Sequence, residues 1–329
     1  MIPPFQITPE ILDLVSSISL ILGRIESLPV SSPGPKLRKE NRIRTIKSTL
    51  AIEGNTFTEE IISAILENKK VVGPKKQIIE VKNAISLYEA FDDYKSDSIK
   101  LFLHAHSVLM KDLVSNAGKF RTKNVGIMKG KIVQHVAPKS ILVPELMGKL
   151  FDWIKKDKTT HFLIKSCVVH YEIEFIHPFE DGNGRMGRFW QTILLATKAP
   201  IFKYLPIESL IEKNQKAYYD TLEKSDKQGD STPFVKFMLS MILEVLSDYD
   251  SEAKGLVVTS QDRLIKAKEH FQKKYFSRKD YMELFKSIST ATASRDLKEG
   301  VSGNLLKTKG EKNQMQYVFV LRRGGGGNF

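Results

Sequence analysis

Apolar residues recur at helical spacing along most of this 329-residue chain, which restricts it to a mainly α-helical fold. Thr8-Pro9-Glu10 is a helix start, an N-cap residue followed by proline at the first helical position. Ile11, Leu14, Ile18, Ile21 and Ile25 then follow along one helical face. Ser31-Ser32-Pro33-Gly34-Pro35 interrupts the chain, and a second helix is predicted from about Lys36 to Ile52, ending at Glu53-Gly54-Asn55. Thr58 opens a third helix, Ile78, Val81, Ile85 and Tyr88 mark a fourth, and residues 98–114 a fifth. Helical patterns resume at Leu146–Lys156 and after Thr232-Pro233, where Phe234, Phe237, Met238, Met241, Ile242 and Val245 form an apolar stripe. Residues 247–258, polar and containing Gly255, read as a linker. Residues 118–145 differ: glycines and prolines punctuate them, Lys131–Val136 reads as a strand, and a β-hairpin or extended loop is predicted there.

Charge and cysteine content narrow the setting. Lys plus Arg number 51 and Asp plus Glu 38, a net charge of +13. Residues 261–329 hold 15 basic and 7 acidic side chains, so a fifth of the chain carries +8 of that total. A basic tail of this kind suits an anionic partner, nucleic acid or phosphates, or is a solvated lysine-rich surface. Cys167 is the only cysteine, so an intrachain disulfide is excluded. The first residues, Met-Ile-Pro-Pro-Phe, lack the basic and apolar stretches of a secretory leader, and a reducing, cytoplasmic location is predicted. No apolar run approaches the ~18–20 residues of a membrane span, so no membrane partner is expected.

The tail from about 260 to 323 has its own pattern. Leu264, Ala267 and Phe271 suit one helix, Ser277-x-x-Asp280 is a capping-box start before Tyr281, Leu284 and Phe285, and a second short helix from Ser289 to Lys298 carries Arg295 and Lys298. Leu305-Leu306, a turn at Lys309–Lys312 and Gln316–Val320 then form a β-ribbon. Helix, turn, helix and ribbon, all basic, resemble a winged helix-turn-helix, with Arg295 and Lys298 as DNA-binding candidates. The same small basic domain is also suited to docking on protein, because fold does not fix function.

The stretch with most chemistry is His177-Pro178-Phe179-Glu180-Asp181-Gly182-Asn183-Gly184-Arg185-Met186-Gly187-Arg188. Glycines on both sides of Asn183 let the backbone approach a ligand, and a helix beginning near Asn183 would aim free N–H groups at an anion. Arg185 and Arg188 add two cations one helical turn apart. Asp181 offers a hard oxygen to Mg²⁺ bridging phosphates, and His177 can accept a proton from a nucleophile. Together these are the parts of a phosphoryl or nucleotidyl transfer site. Gly182-x-Gly184-x-x-Gly187 also matches the letters of a dinucleotide fingerprint, preceded by a strand-like alternation over Val169–Phe175 and followed by Glu208. Pro178 and two acids crowd that turn, no βαβ pattern surrounds it, and the reading leaves both arginines unexplained. Metal binding by His170, Glu172 and His177 matches no zinc spacing.

The run resembles the motif of the Fic family, His-Pro-Phe-x-Asp/Glu-Gly-Asn-Gly-Arg-x-x-Arg, at every fixed position. Gly118-Lys119-Phe120-Arg121 and the hairpin-like stretch after it resemble the family's flap, which holds a target chain by strand-like pairing. Thr49-Leu50-Ala51-Ile52-Glu53-Gly54 is similar to the family's inhibitory motif, and Tyr218-Tyr219 sits where relatives carry a tyrosine pair near the adenine. The resemblance covers roughly residues 1–245. It implies a helical bundle with a β-hairpin flap, so Val169–Phe175 is expected to be helical. Three regions follow: 1–95 with the inhibitory motif, 96–246 as the Fic core, and 260–323 as the winged helix-turn-helix.

The resemblance also implies an autoinhibited protein adenylyltransferase, moving AMP from ATP, with Mg²⁺, to a Ser, Thr or Tyr hydroxyl of a protein. It implies His177 as general base, Asp181 as metal ligand, and Gly182, Asn183 and Gly184 as the anion hole. Arg185 and Arg188 would contact phosphates, and Glu53, supported by Thr49, would capture Arg188 at rest. A Glu–Arg pair there removes a cation and adds an anion where a triphosphate must lie, and a misaligned α-phosphate costs orders of magnitude in rate. Other members of the family remove AMP or transfer other phosphate-containing groups. The chain read as a DNA-binding regulator with a nucleotide-sensing Fic portion is the alternative from a different class. Self-modification and homodimerisation are compatible with either, and the target protein is not legible.

Overall fold

A computed structural model describes residues 3–27, 33–129, 132–255, 259–285, 288–310 and 315–320. The chain divides into two compact units, residues 1–22 with 38–249 and residues 23–37 with 250–329. The helices expected along residues 1–156 are α1 (Pro9–Ser27), α2 (Pro35–Ile52), α3 (Glu59–Leu66), α4 (Lys75–Glu89), α5 (Ile99–Leu109) and α6 (Val143–Lys156). Thr8 caps α1 by accepting the Ile11 N–H at 3.3 Å, and Ser98 caps α5 through Leu101 at 3.3 Å. Between α5 and α6 lies the expected hairpin, β1 (Gly126–Lys129) antiparallel to β2 (Ile132–Val136), with a register shift between Ile127 and Met128. Lys131, Ser31 and Ser32 lie outside the described residues.

At the centre of the first unit are α7 (Phe162–Ile176) and α8 (Asn183–Ala196), followed by α9 (Ile207–Lys213), α10 (Gln215–Gln228) and α11 (Thr232–Gly255). Residues 163–171 are buried without a break, so α7 is enclosed on all sides and its helical period is invisible in the sequence. That is why Val169–Phe175 alternates like a strand and is a helix. Phe179 and Trp190 pack against Phe102, and burial of each large aromatic contributes roughly 2–3 kcal/mol. One expectation is corrected: residues 247–255 are not a linker. They continue α11, with Tyr249 and Asp250 turned inward and Asp248 and Ser251 exposed. Residues 256–258 lie outside the described set.

The second unit contains α12 (Ser260–Phe271), β3 (Phe276–Ser277), α13 (Arg278–Leu284), α14 (Thr290–Ser302), β4 (Leu306–Lys309) and β5 (Gln316–Phe319). The capping box read at Ser277 and Asp280 is present, and Thr259 with Asp262 makes a second one at the start of α12. The ribbon gains a third strand, in the order β3-β5-β4, which the two residues of β3 were too short to announce. Phe276, Tyr281, Leu297, Leu306 and Phe319 are among the residues that form this unit's own core. Of the expected turn, Glu311 and Lys312 lie outside the described residues, as does Gly324–Gly327.

Candidate active site

The functional residues converge on the turn between α7 and α8. His177 ends α7 in a left-handed conformation (φ 49°, ψ 60°), a costly one for a residue with a Cβ. Arg121 holds it there. This buried guanidinium donates through Nε to the His177 carbonyl at 2.7 Å, and its Nη atoms reach the carbonyls of Lys123, Pro138 and Ile176. The Arg121 N–H donates to the Pro178 carbonyl at 2.9 Å. The segment leading into the hairpin is thereby tied to the turn between α7 and α8. His177 Nδ1 lies 3.3 Å from the Glu174 carbonyl. A carbonyl only accepts, so Nδ1 carries the proton and Nε2 is left as the basic nitrogen.

The far side of the turn is braced by residues the sequence reading missed. His106 Nδ1 accepts the Gly118 N–H at 2.8 Å, which leaves Nε2 to donate to the Asp181 carbonyl at 3.0 Å. Its ring stacks on Phe179 at 3.5 Å, and burial lowers its pKa to about 4, so it stays neutral. Asn183 spans the loop, accepting the Phe179 N–H at 2.8 Å and donating to the Phe179 carbonyl at 3.0 Å. Gly182 precedes α8 at φ 86°, where a side chain would be strained and would strike Met110. No periodicity announces the contacts of His106 with Asp181 and of Arg121 with His177, which span 75 and 56 residues.

Arg188 is buried at the centre of α8. Its Nε donates to Thr49 Oγ1 at 3.0 Å, and Nη2 donates to the Thr49 carbonyl at 3.1 Å and to Glu53 Oε1 at 2.7 Å. Burial works against its charge, but Glu53 first and other acidic neighbours outweigh that, so the guanidinium is held above its ordinary pKa. The Glu53–Arg188 pair expected from the resemblance is therefore made. A Cβ at Gly184 would lie 2.5 Å from Glu53 Oε1 and 3.1 Å from Arg188 Nη1, so the glycine admits this contact. At Gly187 a Cβ would lie 2.6 Å from the His170 ring, which accounts for that glycine by helix packing, not by a dinucleotide. His170 itself is structural, held between Gln191 at 2.7 Å and Tyr218 at 3.1 Å.

Arg185 turns to other partners. Its Nη2 meets Asp181 Oδ1 at 3.1 Å, and Nη1 is 3.9 Å from Glu80 Oε1. Arg185 is only 4% exposed, yet among the described residues its Nε and Nη1 have no hydrogen-bond acceptor. Buried guanidinium donors without acceptors fit an incoming anion. Asp181 is 45% exposed and its Oδ1 also accepts the Gly182 N–H. Its carboxylate is open enough to be a candidate Mg²⁺ ligand, beside the exposed Glu180. Among the described residues no group of three or more metal-binding side chains occurs, so a cation there would take its other ligands from phosphate and water. The Tyr218 ring is wholly buried with its hydroxyl donating to Glu174 at 3.1 Å, while Tyr219 is 37% exposed, so of the pair Tyr219 has surface to offer a ligand. Arg295 and Lys298 are exposed on α14 in the other unit.

The Fic/DOC family profile matches residues 97–195, which include α7, the turn and all of α8 but its last residue. The crystal structure of a Fic family protein from Desulfovibrio desulfuricans G20 is 37% identical with a TM-score of 0.74, covering 99% of this chain and 100% of that one. The chain belongs to the Fic family. Two curated Fic proteins are similar at lower identity. The protein adenylyltransferase Fic of Nematostella vectensis is 27% identical over 71% of this chain and 54% of its own length. The protein adenylyltransferase fic-1 of Caenorhabditis elegans is 27% identical over 77% of this chain and 49% of its own. The chain thus spans about half the length of these curated relatives. A solved structure of C. elegans Fic-1 (residues 134–508) shares the fold, with a TM-score of 0.63 at 22% identity over 74% of this chain and 73% of that one. No helix among the described residues is long and apolar enough to cross a membrane.

Proposed function

We propose that this Fic protein transfers AMP from ATP to a protein hydroxyl and that Glu53 restrains it. The observation that carries the reading is the pair of α8 arginines: Arg185 has buried donors in need of acceptors, and Arg188 is held by Glu53 and Thr49. In the reaction the target hydroxyl oxygen forms a bond to the α-phosphorus, the bond from that phosphorus to the bridging oxygen breaks, and pyrophosphate leaves. The hydroxyl proton passes to His177 Nε2, the ring nitrogen other than the one that faces the Glu174 carbonyl. The N–H groups opening α8 and the Arg185 guanidinium face the developing negative charge, the arrangement that lowers such a barrier most. Mg²⁺ on Asp181 would neutralise phosphate charge. The hairpin β1–β2 offers an edge to an extended target segment.

With Glu53 on Arg188, the γ-phosphate lacks its cation and meets an anion, so the triphosphate is misplaced at its far end and the α-phosphorus is out of line. Self-labelling with α-labelled and γ-labelled ATP plus Mg²⁺ tests the reading. The α label should be weak on the unmodified chain, at least tenfold stronger on Glu53→Gly, and absent from Glu53→Gly/His177→Ala. A γ label would make the protein a phosphotransferase, and equal α labelling with and without Glu53 would remove the restraint from the proposal. The cytoplasmic location inferred from the single, buried Cys167 belongs to the same reading.

A further inference from the structure

We propose that the second unit binds duplex DNA, with α14 lying in the major groove and the cations of α13 on the adjacent backbone. The inference concerns residues outside the transfer site and does not depend on the transfer reaction. Helix α14 buries one side, with Ala293, Leu297 and Gly300 in the unit's interior. At 100° per residue the opposite side presents Ala291, Ser294, Arg295, Lys298 and Ser302. That side has two cations, three small residues and no carboxylate. Glu299 stands at its border and accepts the Ser260 hydroxyl at 2.6 Å. Small residues let a helix backbone approach base edges, and the two long cationic side chains reach past them.

A groove of about 1480 Å³ runs beside this face, between α13, α14 and the β4–β5 ribbon. Arg278, Lys279 and Lys298 line it together with the hydroxyls of Ser277, Thr290 and Thr308, against a single carboxylate, Glu283. Arg278 Nη1 donates to Ser294 Oγ at 3.1 Å, which ties the α13 cation to the exposed face of α14.

The alternative of an ordinary solvated lysine surface is met by the arrangement of these cations on one face. Several exposed lysines on the helices of the first unit have a counter-charge one turn away, as Lys149 does with Glu145, Lys156 with Asp152 and Lys227 with Glu223. Lys279, Arg295 and Lys298 make no hydrogen bond or ion pair among the described residues. Cations left unpaired on one face of a segment of net charge +8 suit a regular anion, and phosphates spaced along a duplex are one. The major groove of B-DNA admits an α-helix, whereas that of duplex RNA is too deep and narrow for side chains to read, so the helix face selects DNA.

The test uses the full chain and a fluorescent DNA duplex of mixed sequence, about 30 base pairs or three helical turns. Anisotropy is followed as salt rises from about 50 to about 200 mM. Binding should weaken linearly in the logarithm of salt. Lys298→Ala should cost at least about threefold in affinity and flatten the slope by about one, and Arg295→Ala should cost at least about threefold. Lys227→Ala, which removes the same charge from the first unit, should change nothing. Since all three side chains are exposed, circular dichroism should be unaltered. Absence of binding at low salt, an equal loss from Lys227→Ala, or equal affinity for an RNA duplex of the same sequence would each overturn the proposal. So would capture of acidic protein segments in place of DNA.

Discussion

Arg188 in the first unit and Arg263 in the second are both buried, and each meets a carboxylate. Arg263 grips Asp296 with a fork, Nε to Oδ2 at 2.6 Å and Nη2 to Oδ1 at 2.8 Å, and the Tyr281 hydroxyl donates to the same Oδ2 at 3.2 Å. Asp296 is 1% exposed, and its hydrogen bond holds the guanidinium above its ordinary pKa. Arg188 meets Glu53 through one nitrogen and one oxygen, and Glu53 is 31% exposed at the end of a helix. Thr49 supplies Arg188 with two further acceptors that do not involve the carboxylate. A pair that only holds a core together uses both oxygens and excludes water. A pair that can be released leaves its cation other partners and its anion a route to solvent.

The largest effect should come from breaking the closed pair. Asp296→Ala leaves Arg263 buried without its carboxylate, and removal of one partner of such a pair costs about 3–5 kcal/mol. Both tryptophans, Trp153 and Trp190, lie in the first unit. Urea unfolding of this variant should therefore show an early transition by circular dichroism, while tryptophan fluorescence keeps its midpoint. Coincident transitions at the original midpoint would mean that the fork contributes little.

A third carboxyl sharpens the comparison on the Arg188 side. Burial pushes Glu208 up to about 7, and neither the nearby Arg188 nor the Tyr88 hydroxyl, 3.3 Å from Oε1, brings it back to the ordinary range. A carboxyl raised in the fold binds its proton more tightly when folded than unfolded. Its ionisation therefore erodes stability as pH rises from about 4.5 to about 7. Glu208→Gln keeps an acceptor for Tyr88 and cannot ionise. It should stabilise the chain by up to about 3 kcal/mol at pH 8 and by almost nothing at pH 5. A gain that is the same at both pH values would show that packing, not charge, governs this position.

These pairs were unequally legible. Glu53, Arg185 and Arg188 stand in two short motifs, and the resemblance of those motifs to the Fic family's assigns them to one site. Asp296 and Arg263 are 33 residues apart on helices whose polar positions look like any others. His106 acts on a backbone carbonyl and N–H, which every residue has, so no pattern of side chains marks it, and the flap-like run that contains Arg121 does not announce its hold on the His177 carbonyl. The helix boundaries read from Thr8, Ser98 and Ser277 came close because caps are local chemistry. The supposed linker at 247–258 failed for the opposite reason: a polar helix face and a polar loop have the same composition.

Gly184→Ala should have a smaller effect, about 1–2 kcal/mol, because the added methyl meets the flexible ends of Glu53, Arg188 and Glu174 at 2.5, 3.1 and 3.3 Å and forces the first two apart. It separates two properties that Glu53→Gly joins. The methyl dislodges Glu53 and also fills the approach to the α8 N–H groups, so labelling from ATP should stay low although the ion pair is broken. Strong labelling would mean that phosphate does not come near residue 184.

Glu53→Gln should change stability least, by less than about 1 kcal/mol in thermal unfolding. The amide keeps an oxygen for Arg188, Thr49 keeps its two hydrogen bonds, and the lost charge was partly screened by solvent. The same substitution removes an anion from beside the arginine expected to meet the γ-phosphate. Nucleotide affinity, measured by calorimetry, should therefore rise severalfold, and the rise should shrink as salt is added. A large loss of stability here would place Glu53 with Asp296 as a structural carboxylate. A gain in affinity at nearly constant stability is what separates a restraint from a brace. A restraint must be replaceable by its ligand, so the energy that holds it cannot be much larger than the energy the phosphate brings.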